Sequence, residues 1–332
     1  MKTKIYYLLP ALFMLLICSS CKKDNSMQGG AGLTVTAFSM QKITEYAPMR
    51  IKLNNLSTTA DSYTWTIAEA GLSSTVASPE FLITRKGTYT IKLVSSRNGV
   101  QESTTQEIVV KNDPAMLAMY LFSNNWRDSS DYGNHISSGH GLLRADPDRK
   151  NNDRSCINMG TVGGALFLPD DLIRGTGAAI TISMWIKANT LIKNPLFGYW
   201  KGDEAATVNT PSVYFDEAGK LQLKFANGSV APQITVNGLA ADTWYHIVLT
   251  GSGTVQKAYV NGVLAGSVNS DAINHGLMNT AALGYMYVPG GSTWAGLPAA
   301  TWSSYNFKGY FDDVRIYNKM LSDAEVKALY NE

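Results

Sequence analysis

Apolar and polar residues alternate with a period of two along most of this chain, and that spacing predicts β-strands whose successive side chains face opposite ways. The pattern is plainest at residues 49–53 (M-R-I-K-L), 62–67 (S-Y-T-W-T-I), 88–94 (T-Y-T-I-K-L-V), 180–188 (I-T-I-S-M-W-I-K-A), 244–250 (W-Y-H-I-V-L-T) and 307–317 (F-K-G-Y-F-D-D-V-R-I-Y). It recurs at 33–38, 106–111, 116–122, 165–168, 212–216, 221–225, 258–266 and 281–285. Within 258–266, Asn261-Gly262 reads as a tight hairpin turn. A helical spacing occurs once, at 322–330, where Ser322 as N-cap and Glu325 three positions on form a capping box. No period of 20–50 residues repeats, which excludes a solenoid or propeller.

Pro114 after Asn112-Asp113 interrupts the pattern and marks a boundary. Residues 34–111 form one small β-unit, whose short, evenly spaced strands suggest a sandwich. Residues 115–332 form a larger one, whose strands fit a two-sheet jelly roll. The fold class is all-β: an immunoglobulin-like sandwich, then a jelly roll, then a short C-terminal helix.

The first residues are of a different kind. Lys2 and Lys4 precede an apolar run at 5–17, shorter than the roughly 20 residues a bilayer needs, and the run ends in L-L-I-C-S-S-C. Residues 1–20 therefore read as a targeting segment and 21–33 as a polar, flexible tether. Without Lys2 and Lys4 the remaining 26 basic residues (28 less two) meet 26 acidic ones. Near-neutral charge with no basic stripe gives nucleic acid no electrostatic footprint. Cys156 is the lone cysteine of the folded part, so no internal disulfide is expected, and it reads as a small buried residue.

Three resemblances refine this outline. The segment ending in Ser19-Ser20-Cys21 resembles a bacterial lipoprotein signal, which implies a lipidated Cys21 and an outer-membrane or cell-surface location; an ordinary secretory signal or an uncleaved anchor is the alternative. Tyr63-x-Trp65 and Gly87-x-Tyr89-x-Ile91-x-Leu93 resemble the polycystic-kidney-disease (PKD) type of immunoglobulin-like domain, without that family's Gly-Asp-Gly turn. The third rests on D-S-S-x-x-G-N at 128–134, I-T-I-S-M-W-I-K at 180–187 and G-Y-F-D-D-V-R-I-Y-N-K-M-L-S-D-A-E-V at 309–326. Together these resemble the laminin-G-like, concanavalin A-type jelly rolls, most of which bind sugars or surface partners. That resemblance implies a structural Ca2+ where the first loop meets the last strand, held by Asp128, Asn134 and Asp312, in keeping with calcium's preference for hard oxygen ligands. Because neighbours in a strand face opposite ways, at most one of Asp312 and Asp313 is expected to reach that loop. The alternative pairs Asp312 with Arg127 or Arg315 and leaves the loop a turn.

A second candidate site is the aromatic segment at 285–305, with Tyr287, Trp294, Trp302 and Tyr305, joined by Trp200 from a loop expected at 197–204. Aromatic rings stack on the apolar faces of sugars, and loops on a rigid sandwich commonly carry binding. The alternative is a loop folded onto its own rings. Trp185 and Trp244, lying in strands, read as core. Hydrolase chemistry lacks its usual signs: no E-x-D-x-x-E, no H-E-x-x-H and no G-x-S-x-G occurs, and the four histidines show no metal spacing. The sequence thus points to a non-catalytic surface lipoprotein whose head binds a polysaccharide or glycoconjugate, with the first domain as spacer. A protein-binding adhesin or scaffold is the alternative, and a glycoside hydrolase is less favoured.

Overall fold

A computed structural model describes residues 35–141, 143–173, 179–200, 211–224, 233–269, 280–286 and 306–332. In its first part, strands Phe38–Lys42, Met49–Asn55 and Glu80–Ile83 make a three-stranded sheet. Strands Tyr46–Ala47, Val100–Asn112, Gly87–Arg97, Ser62–Ile67 and Leu72–Ser74 make a five-stranded one, in that order. The alternation of Met49–Asn55 sends Met49, Ile51 and Leu53 into the core, while Lys52 and Asn54 face solvent. Trp65 fills the space between the sheets. Its ring meets Phe38 edge-on at 5.1 Å, and its indole N–H donates to the Val76 carbonyl at 3.0 Å, so the one polar atom of a fully buried ring is satisfied. The strand expected at 33–38 lies further along, at Phe38–Lys42; Val35 makes only an isolated bridge to Thr58.

The second part is two stacked antiparallel sheets. One runs Arg144–Asp146, Cys156–Asn158, Gly309–Tyr317, Ala179–Ala188, Trp244–Ser252, Val255–Val260, Val263–Asn269, and Met116–Tyr120 also pairs with Gly309–Tyr317. The other runs Ser138–Gly141, Gly164–Phe167, Thr280–Leu283, Asn194–Trp200, Ser212–Phe215, Leu221–Lys224, Gln233–Val236. Between them Ile182, Met184, Ile186, Leu249, Phe311 and Ile316 interdigitate with Leu166, Tyr199, Phe215, Leu223 and Leu283. Each such side chain contributes about 1.5–3 kcal/mol by leaving water. The expected hairpin forms: Asn261 (φ 52°) and Gly262 (φ 71°) both take the left-handed backbone a two-residue turn requires.

The outer face of the eight-stranded sheet is apolar in its middle, and the C-terminal helix Asp323–Tyr330 covers it. Val326 and Leu329 pack on Val248, Tyr259 and Tyr317. The expected capping box holds the helix start: the Ser322 hydroxyl accepts from the Glu325 amide at 3.3 Å, and the Glu325 carboxylate accepts from the Ser322 amide at 2.7 Å. Several strands were not legible, among them the short Glu80–Ile83, Ser138–Gly141, Cys156–Asn158 and Gln233–Val236 and the longer Asn194–Trp200. Asn194–Trp200 is buried along its whole length, so it shows no alternation, and Phe197–Trp200 belong to it rather than to a loop.

The two parts meet through a short junction. Only three residues separate the end of one strand at Asn112 from the start of the next at Met116, and Asn112 and Asp113 are themselves buried. Lys319 joins Asp113 to Glu325 of the helix; the latter contact is 2.6 Å. Lys86 pairs with Asp131, the Asn112 side chain donates to the Ser129 carbonyl at 3.3 Å, and the Tyr132 hydroxyl donates to the Pro114 carbonyl at 2.7 Å.

Candidate functional site

The seven-stranded sheet carries an aromatic cluster on its outer face. After Leu283 the chain turns at Gly284 (φ 73°) and folds back, so that Tyr285 and Met286 cross over Gly198. A Cβ at Gly198 would stand 2.7 Å from the Tyr285 carbonyl oxygen, which is why this strand carries glycine there. The crossing lays Tyr285 against Trp200, with ring centroids 5.5 Å apart at 61°, and against Phe167 at 5.9 Å. Trp200 is only 4% exposed, so its ring is part of the floor and not a contact surface; burial decides against the expected direct role for it. Tyr285 is bridged to Asn306, and the two bracket the aromatic segment. Tyr287, Trp294, Trp302 and Tyr305 lie outside the described residues, as does Cys21. The described strand ends Trp200, Ser212, Lys224, Gln233 and Thr280 all lie at one end of this sheet.

The three residues of the calcium expectation have separate partners. Asp128 is buried, and one carboxylate oxygen accepts from the amides of Met119 and Ser130, both at 2.8 Å. The other accepts from the Ser130 hydroxyl at 2.5 Å and the Asn134 amide at 2.8 Å. The Asn134 side chain donates to the Leu117 carbonyl at 2.7 Å, and the Asn134 backbone carbonyl accepts from the Tyr120 hydroxyl at 2.7 Å. A cation shared by these residues would displace several donors from Asp128. Among the described residues, no group of three or more His, Cys, Asp or Glu stands ready to hold a metal.

Asp312 lies elsewhere, on the outer face of the eight-stranded sheet. Opposite Met184 the strand Gly309–Tyr317 carries two residues against one, a β-bulge with Asp313 at φ 42°. The extra residue breaks the strict alternation. Both carboxylates therefore reach the same cation, Arg149, at 2.5 Å from Asp312 and 2.8 Å from Asp313, where only one of them was expected to face a given side. The cation is not Arg127 or Arg315: the latter is buried in a two-bond pair with Glu332, one contact at 2.6 Å. The Arg149 guanidinium also lies 4.5 Å from the centroid of the Trp185 ring. Burial, then the neighbouring Asp313 charge, push the Asp312 carboxyl up to about 7 against the pull of Arg149. Sequence reasoning missed Arg149, because 163 positions separate it from Asp312 and no local pattern links them.

The same face holds Trp185 and Trp244, which were expected in the core. Both are half-buried on the outside of the sheet. Trp185 stacks on Tyr330 of the helix at 5.6 Å and 16°, and on His246 at 5.2 Å. Beneath them the Ser183 hydroxyl and His246 Nε2 are 2.8 Å apart, a spacing that could serve a nucleophile and base. Both are about 1% exposed, however, and burial lowers the His246 imidazole to about 3, so it is neutral and sealed from any substrate. Cys156 is equally inert: burial first, then the nearby Asp312 charge, push its thiol up to about 12, and the S–H faces the Pro147 carbonyl at 3.2 Å. Further out, Lys187, Trp244 and Tyr310 form a half-buried row across three strands.

Among curated proteins none matches the chain. Solved structures similar to it include a botulinum neurotoxin type C structure from a study of cell entry through two ganglioside molecules (16% identity, 65% of this chain and 51% of that one, TM-score 0.49). Others are the serotype C1 binding domain (15%, 65% and 52%, 0.49) and a serotype D/C binding domain in complex with rat synaptotagmin II (15%, 65% and 51%, 0.49). The chain spans about half the length of these proteins. The profile of the laminin G type, described as the concanavalin A-like lectin/glucanase superfamily, matches residues 160–327. Most strands of the two stacked antiparallel sheets fall within the matched residues, and the chain belongs to the concanavalin A-like lectin/glucanase superfamily.

Proposed function

We propose that this chain is a non-catalytic surface lipoprotein whose jelly-roll head captures carbohydrate, anchored through Cys21 and held off the membrane by a PKD-type first domain. The observation that carries this is the bracket formed by Tyr285 and Asn306. Both ends of a segment with four further aromatic residues are pinned together over the outer face of the seven-stranded sheet, beside Trp200 and Phe167. Aromatic rings suit the apolar faces of pyranoses, and segments carried on a rigid sandwich commonly bind. Ser183 and His246 stand at nucleophile–base spacing, and burial seals both from a substrate. In this proposal Tyr287, Trp294, Trp302 and Tyr305 contact the glycan.

Affinity electrophoresis through gels containing a panel of polysaccharides tests the proposal. Wild-type protein is expected to be slowed by at least one of them, and the combined Trp294→Ala and Trp302→Ala variant is expected to run free of that retardation. A variant retarded as strongly as wild type would remove the aromatic segment from the site. Retardation by no polysaccharide would remove sugar binding itself, and leave a protein partner.

A further inference from the structure

A second surface on the head has the chemistry of a sugar platform and shares no residue with the aromatic segment. Lys187 is the register partner of both Trp244 and Tyr310, so the three side chains stand in one row on the outer face of the eight-stranded sheet. The rings are 6.1 Å apart at 60°. The Lys187 ammonium lies 4.0 Å from the Tyr310 centroid and 5.3 Å from that of Trp244. Among the described residues it has no carboxylate within ion-pair distance. The row continues onto the next strand, where Asn158 is the register partner of Tyr310 and donates to Asp146 at 2.8 Å. Arg144 pairs in register with Asn158, and exposed Asp242 precedes Trp244 in the turn before it.

Core packing does not account for these rings. The core lies on the opposite face of the sheet, and the C-terminal helix covers the face around Val248, Tyr259 and Tyr317. Its last residue, Tyr330, reaches Trp185, and the row at Lys187 is left half-open to solvent. Two aromatic faces are thus kept at the surface with an ammonium between them and amide and carboxylate groups along one edge. Ring faces match the C–H faces of a pyranose, and the mixed donors and acceptors match its hydroxyls. The formal charges around the row cancel, Lys187 and Arg144 against Asp146 and Asp242, so stacking and hydrogen bonds decide recognition and a charged ligand gains nothing. We propose that Trp244, Lys187 and Tyr310 form a second glycan site, specific for uncharged pyranose chains. It takes its ligand class from the glycan-binding proposal above, but it stands on the opposite sheet.

The test is affinity electrophoresis of the full chain in gels of an uncharged β-glucan, xylan or galactan, with polygalacturonate as the charged comparison. At least one uncharged gel is expected to slow the wild type. Trp244→Ala is expected to weaken that retention by about tenfold, as loss of a stacked ring does, while thermal melting stays cooperative. Lys187→Met, at a half-exposed position, is expected to weaken it in the same gel, and it decides the matter if Trp244→Ala melts poorly. Retention lost in Trp244→Ala and Lys187→Met but kept in the Trp294/Trp302 double variant supports this platform as the site for that polysaccharide, separate from the aromatic segment. The reverse pattern overturns the platform and leaves the first site standing. Retention by polygalacturonate alone, or by no gel, also overturns it.

Discussion

Replacing Arg149 with methionine tests the electrostatics of the head most directly. The Arg149 side chain is 7% exposed and neutralises Asp312 and Asp313, whose side chains are 3% and 16% exposed. The Arg149→Met variant would keep an apolar stem against Trp185 and remove the cation between two adjacent carboxylates. Breaking a buried pair in this way costs about 3–5 kcal/mol, chiefly because a charge is left without compensation. The cost depends on pH, with a definite sign. Asp312 is already held up at about 7 in the folded protein, above its value in an unfolded chain. A carboxyl raised on folding favours the folded state at low pH, and that contribution is lost as pH rises through the folded value. Without Arg149 the carboxyl shifts higher still, so between pH 7 and 8 the variant falls further behind wild type by up to about 1.4 kcal/mol. Urea denaturation followed by circular dichroism at pH 5 and pH 8 measures both. The expected result is a deficit of about 3–5 kcal/mol at pH 8, smaller by about 1 kcal/mol at pH 5, and partly repaired by adding Asp312→Asn. A deficit below about 1 kcal/mol at pH 8, or one that grows on acidification, would refute the assignment of Arg149 as the counter-ion.

The remaining predictions concern other groups. His246 is lowered to about 3 by burial, so the folded protein resists its protonation, and stability contributed by neutral His246 is lost as pH falls from about 6.5 toward 3. His246→Phe is expected to flatten that acid limb by up to about 1.4 kcal/mol per pH unit; an unchanged slope would show the ring is not sealed. The donors around Asp128 already complete its shell, so a chelator is expected to leave the melting temperature unchanged; a clear fall would show that the fold holds calcium after all. The junction through Lys319, Asp113 and Glu325 is expected to hold the two sandwiches in one orientation. Small-angle scattering of Lys319→Ala should then report a larger radius of gyration than wild type, and identical curves would deny the pair that role.

Much of the architecture was legible from residue order because it follows from local rules. Period-two alternation is a property of extended backbone beside a core, so Met49–Asn55, Ala179–Ala188 and Trp244–Ser252 declared themselves. Asn261-Gly262 and the Ser322/Glu325 box depend only on neighbours, and both formed as read. Alternation, however, states that two faces differ without stating which one is covered. Trp185 and Trp244 follow the strand rhythm, yet they stand on the outside of their sheet, because burial is assigned by what packs across from a strand. Asn194–Trp200 failed in the opposite way, covered on both faces and so without rhythm.

The sites divide along the same line. The sequence alone determined an all-β chain with a terminal helix, a buried Cys156 and a concentration of aromatic residues between 285 and 305. Tertiary structure decided the electrostatic partners: Arg149 with Asp312 and Asp313, Arg315 with Glu332, Lys319 with Asp113. It also decided that a single bulge at Asp313 would turn two alternating carboxylates toward one cation, and that Lys187 would lie between rings from two neighbouring strands. Backbone preferences act over a few residues and are written in order along the chain. Charge pairing and ring contacts act through space, and only the paths of the two sheets bring those distant positions together.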